Sequence, residues 1–140
     1  MPKRKLINPL AFLGQRARLE EDQQRDLGIA YHASLQVLLT GHGTEQAWAT
    51  LACSLNLALL LCEIGIAAPA IQTIKLAQEA MLRSRERAQR TGKWALDGDG
   101  IRTLQAALNI HDEQISRCTR QQITAALNEV HRRVNIGEAA

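Results

Sequence analysis

The chain has 140 residues, a formal charge of +3 and an apolar share of 46%, which is the profile of one ordinary domain that needs no disulfide or metal to hold it. Only Phe12, Tyr31, Trp48 and Trp94 are aromatic, so the core must come from Leu, Ile and Ala; that favours helices over strands and leaves few rings for stacking on bases. Three cysteines, Cys53, Cys62 and Cys118, are an odd number, and the first two would stand about 13 Å apart along one helix; this argues against a disulfide framework and points to a reducing, cytoplasmic setting.

Charge is unevenly placed. Residues 1–18 carry Lys3, Arg4, Lys5, Arg16 and Arg18 with no acid, and residues 83–93 carry Arg83, Arg85, Arg87, Arg90 and Lys93 against Glu86 alone. Residues 26–82 carry only Lys75 against Asp26, Glu45, Glu63 and Glu79. No long apolar run follows the basic start, so a signal peptide is not expected. Residues 1–8 are expected to form a basic, flexible lead.

Pro9 suits a first helical turn, so a helix can begin there. The next helix is clearer: Leu27, Tyr31, Leu35 and Leu38 recur at helical spacing and Thr40-Gly-His-Gly43 ends it. Thr44 then reads as an N-cap with Glu45 in the first turn. From Trp48 one apolar stripe runs through Leu51, Leu55, Leu59 and Cys62, and the opposite side carries Ala49, Cys53, Leu57, Leu60 and Ile64. A helix apolar on both sides is expected at the centre of the core. Ser54, Asn56 and Glu63 interrupt the run, so it is not expected to cross a membrane.

Gly65 and Pro69 mark a turn, and a helix is expected from about Ala68 to Arg90 with Ile71, Ile74, Ala77 and Met81 inward. Its later half carries Arg83, Arg87 and Arg90 on one face, with Glu79–Arg83 and Glu86–Arg90 spaced as i,i+4 pairs. Trp94 and Leu96 are expected to pin the following irregular stretch, and Asp97 or Asp99 to cap the next helix. Ile101, Leu104, Leu108, His111, Ile115 and Cys118 continue as a stripe that resumes at Ile123, Ala126 and Val130. Thr119-Arg-Gln-Gln122 has capping-box spacing, but positions 104, 115, 126 and 108, 119, 130 also follow an eleven-residue repeat. One long helix over 101–134 is the reading adopted, with a frayed tail over 135–140. The expected fold is therefore all-α: a single domain over 1–140, an antiparallel bundle of four helices, or five if the last one breaks.

Chemical motifs are scarce. His111, Cys118 and His131 lack metal-ligand spacing. Asp97-Gly-Asp-Gly100 resembles the start of a calcium loop, but Ile101 and Leu108 stand where oxygen ligands are needed. No nucleophile elbow, P-loop or dinucleotide fingerprint occurs. No catalytic residue, cofactor or metal is expected.

The function expected is a non-catalytic helical interaction module that self-associates, with a homodimer contacted through Leu104, Leu108, His111, Ile115 and Gln122. Their polar members suit a two-fold interface better than a monomer core. The alternative is a nucleic-acid-binding accessory factor that uses Lys3, Arg4, Lys5, Arg83, Arg87, Arg90 and Lys93.

Overall fold

A computed structural model describes residues 20–135. The expected basic lead, the start near Pro9 and residues 136–140 lie outside the described residues. Helices hold 84% of what is described, with no strand among them. They are α1 (Glu21–Leu39), α2 (Glu45–Glu63), α3 (Ile71–Thr91, entered through a 3-10 turn at Ala68–Ala70), α4 (Gly98–Arg117) and α5 (Arg120–Asn135).

The boundaries follow local chemistry. Glu20 and Gln23 form a capping box ahead of α1, and the Thr44 side chain accepts the Ala47 amide at the start of α2. Between them the backbone at Gly43 passes so close to Trp94 that a Cβ there would lie 1.9 Å from the Trp94 carbonyl oxygen; only glycine fits. Gly92 closes α3 with a φ of 74°, the left-handed conformation usual one residue past a helix end.

The single long helix expected over 101–134 is two. Cys118 is extended, with ψ 146°. Thr119 Oγ1 accepts the Gln122 amide at 3.1 Å while Gln122 Oε1 accepts the Thr119 amide at 2.9 Å. The reciprocal cap satisfies two amides that would otherwise need an unbroken helix, and it starts α5 in a new direction. The eleven-residue repeat is satisfied on both sides of the break, because each half packs its own stripe.

Of the two candidate caps for α4, Asp97 is the one used: its carboxylate accepts the Gly100 amide at 2.6 Å and the Arg83 Nε–H at 2.9 Å. These two contacts, Arg83 first, hold the Asp97 carboxyl below its usual range. We expect Asp97→Ala to lower the unfolding free energy by about 1 kcal/mol through loss of the cap. Asp97→Asn, which keeps an accepting oxygen, should cost less, because an ion pair this exposed contributes little. Urea midpoints of the three proteins check the order; equal loss in both variants would place the energy in the ion pair instead.

α2 is the hub. It packs against α1, α3, α4 and α5, and Leu51, Leu55, Ala58 and Leu61 have no exposed surface. Its apolar length would suit a membrane span by composition alone; here it is the core helix. Two clusters form around it. The larger joins α1, α2, α3 and α4 through residues such as Leu35, Leu51, Leu55, Ile74, Met81, Leu104 and Leu108. The smaller joins the end of α2 to Ile115, Cys118, Ile123, Ala126 and Val130. Trp94 and Leu96 hold the α3–α4 connection on the larger cluster, as expected.

Candidate interaction groove

The interface expected on the α4 stripe is not a surface. Leu104 and Leu108 have no exposure, and His111 and Ile115 retain 2%. α4 turns this stripe inward onto α2 and α3, so one chain already covers it. The polar residues that made the stripe look like a subunit contact are internal fasteners. Gln114, fully buried, donates to the Ala58 and Ile66 carbonyls at 3.0 Å each, and its Oε1 lies 2.9 Å from His111 Nδ1. The Gln114 oxygen can only accept, so the His111 proton sits on Nδ1. Burial pushes the His111 pKa down, partly countered by the Gln114 bond; the ring is neutral. Gln122 is spent on capping α5.

The Tyr31 ring packs against His111 with centroids 5.1 Å apart and planes tilted by 51°, and its hydroxyl donates to Asp112. His32 Nε2 meets the same carboxylate at 2.9 Å. This cluster ties α1 to α4 near the surface. Burial first, and then Asp112, push the Tyr31 hydroxyl pKa strongly upward, which makes it a fixed donor and a poor base.

The basic residues of α3 are exposed, as are Thr91 to Lys93 beyond them. Arg83 is not paired with Glu79, as its spacing suggested, but reaches across to Asp97. A tertiary partner with better geometry displaces a same-helix one, and Arg83 is thereby partly neutralised. Arg87, Arg90 and Lys93 remain exposed. Lys3, Arg4 and Lys5 lie outside the described residues. Among the described residues no three His, Cys, Asp or Glu side chains come together as a metal site. Cys62 and Cys118 are buried, and burial pushes the Cys118 thiol up to about 11, so neither is a ready nucleophile.

What remains open is the first half of the second apolar side of α2, where Ala49 and Cys53 are exposed; Leu57 and Leu60 further along are buried in the smaller cluster. α1 and α5 both pack on α2 but make no extended contact with each other. Between them runs a groove of about 430 Å³, floored by Ala49, Cys53 and Leu57, with Leu27 on the α1 wall and Ile123 and Leu127 on the α5 wall. Leu27 is 40% exposed and Leu127 38%. Thr50 and Ser54 also line it, but their hydroxyls donate to the Gln46 and Thr50 carbonyls of their own helix. Such back-bonding leaves their carbon atoms to face the groove. The lining is therefore mostly apolar; Gln46, Tyr31 and His111 also border it, with the Tyr31 hydroxyl held by Asp112 and His111 Nδ1 by Gln114. Periodicity had marked this side of α2 as apolar, but a pattern in one helix does not say how many neighbours exist to cover it.

No protein-family model, curated protein or solved structure matches the chain.

Proposed function

We propose that the chain is a non-catalytic helical interaction module that self-associates, and that it does so through the α1–α5 groove rather than through the α4 stripe. One observation carries the reading: the hub helix leaves Ala49 and Cys53 exposed between two walls that themselves expose Leu27 and Leu127. A straight apolar trough of this kind suits an amphipathic helix that inserts residues at i, i+3 or i+4, and i+7. The buried polar groups support a binding role over a catalytic one, because Gln114, His111 and Tyr31 are all committed to partners inside the fold. Cys53 is exposed on the groove floor, and a free surface thiol fits the reducing cytoplasm proposed for the chain.

The reading predicts a mass near twice the 15.5 kDa of one chain by light scattering behind a sizing column at micromolar concentration. Leu127→Glu places a charge on the groove wall and should return the protein to one chain mass with its helical dichroism unchanged. A single-chain mass at every concentration for the unaltered protein would remove self-association. A dimer indifferent to Leu127→Glu would remove the groove.

A further inference from the structure

One polar atom at the groove has no partner. His111 is 2% exposed and borders the groove beside Tyr31 and Ile115. Its hydrogen bond among the described residues runs through Nδ1, to Gln114 Oε1. The Gln114 amide cannot be turned round, because its Nε2 donates to the Ala58 and Ile66 carbonyls, which only accept. The proton of the neutral ring is thereby fixed on Nδ1, and Nε2 presents a bare lone pair. That atom is not sealed in. Among the described residues the side-chain polar atoms that are both enclosed and unpartnered are Ser84 Oγ and Arg120 Nε. His111 Nε2 keeps an opening, and it opens onto the groove that the ring borders.

The rest of the lining defines what can meet this lone pair. No Asp, Glu, Lys or Arg lines the groove, so an ionic ligand would lose its hydration without gaining a counter-charge. A carboxylate, carbonyl or ether oxygen would set one lone pair against another. Such an oxygen would also find the Tyr31, Thr50 and Ser54 hydroxyls donating elsewhere. A water can donate to Nε2, but it needs several polar partners to be held, and the neighbouring hydroxyls are spent. A loosely held water is displaced at little cost by a group that keeps its hydrogen bond. The group that fits is a neutral donor on an apolar body. The groove volume, about 430 Å³, falls within the range of ligand-sized clefts, about 300–1,000 Å³.

We propose that the groove binds a neutral apolar molecule with one hydroxyl, an aliphatic alcohol in its simplest form, whose O–H donates to His111 Nε2 while its carbon chain lies between Leu27 and Leu127 over Cys53. Gln114 is the positioning residue, since its oxygen holds the proton on Nδ1 and leaves Nε2 as the acceptor. The site lies within one chain and does not rest on self-association.

The probes are 1-octanol and its isomer 1-methoxyheptane, which hold the same atoms and differ in that the ether has no O–H. Calorimetric titration of the full-length protein, below the solubility limit of each probe, should show the alcohol binding roughly three- to tenfold more tightly, the net worth of one hydrogen bond. In long-range nitrogen–proton spectra of the imidazoles, the His111 Nε2 resonance should move with the alcohol and clearly less with the ether. Cys53 is exposed on the groove floor, so Cys53→Trp should fill the groove and abolish both effects with the helical dichroism unchanged. Light scattering of the same samples reads the oligomer separately, so failure of self-association and failure of the alcohol site are distinct results. Equal affinity for the two isomers would leave only an apolar trough and overturn the role of His111. An Nε2 shift that survives Cys53→Trp would put the alcohol outside the groove. Absence of binding by either probe would overturn the site.

Discussion

Leu55→Ala is expected to lower the unfolding free energy by about 2–5 kcal/mol, the range for removing a large aliphatic side chain from a closed core. Leu55 has no exposed surface and sits where α2 faces the larger cluster, so no solvent or mobile neighbour can fill the space. Leu59, one turn on, is the internal comparison. It is only half-buried and packs at the edge of the same cluster, so Leu59→Ala should cost clearly less. Denaturant titration of both variants checks the difference. Equal losses would mean that the edge of the larger cluster is as firmly closed as its centre, and trivial losses in both would displace α2 from the centre.

The second large effect is expected at Gln114. Gln114→Leu keeps the approximate volume but strips the donor from the Ile66 carbonyl and the acceptor from His111 Nδ1. A buried polar group left without a partner costs about 1–3 kcal/mol, so losing both should cost on the order of 2–5 kcal/mol. His111 adds a pH dependence with a definite sign. Burial lowers its pKa in the folded chain below 6.5. The unfolded chain therefore takes up a proton on this residue near pH 6.5 while the folded chain does not. Stability from this group is complete above that pH and is lost as pH falls below it, at up to about 1.4 kcal/mol per pH unit. Unfolding free energies at pH 7.5 and 5.5, compared with those of His111→Gln, isolate the contribution. A pH response identical in both proteins would show that His111 does not carry it.

The parts of the fold that the sequence announced are those decided within a few residues. Thr44 and Asp97 cap because their oxygens reach amides three positions on, and the turn at Gly43 is marked by its glycine. The stripe of α2 was visible because helical periodicity is local. Gln114 could not have been found in this way: its carbonyl partners, Ala58 and Ile66, are 56 and 48 residues away, and glutamine in a helix is usually a surface residue. The same holds for Arg83, whose nearby Glu79 was a sound local partner until the α3–α4 turn brought Asp97 within 2.9 Å. At Thr119 two local rules competed, and the satisfied amides of the cap outweighed a repeat that did not require an unbroken helix. The groove was half legible, since its floor could be read and its missing cover could not.

The fifth helix stands apart energetically. Only α2 among the helices packs against it extensively, through the small cluster of Ile123, Ala126 and Val130 against Leu57, Leu60 and Leu61. At its far end Arg133 bridges Glu63 and Glu129, in contacts exposed enough to contribute little. The link itself is packed: Cys118 is fully buried and shares the small cluster with Ile115 at the end of α4. With one extensive neighbour against the hub's four, α5 is expected to open at a lower free energy than the hub, and its amides to exchange with solvent before those of α2. Because it forms one wall of the groove, such an opening would remove that wall while leaving the floor on α2 in place.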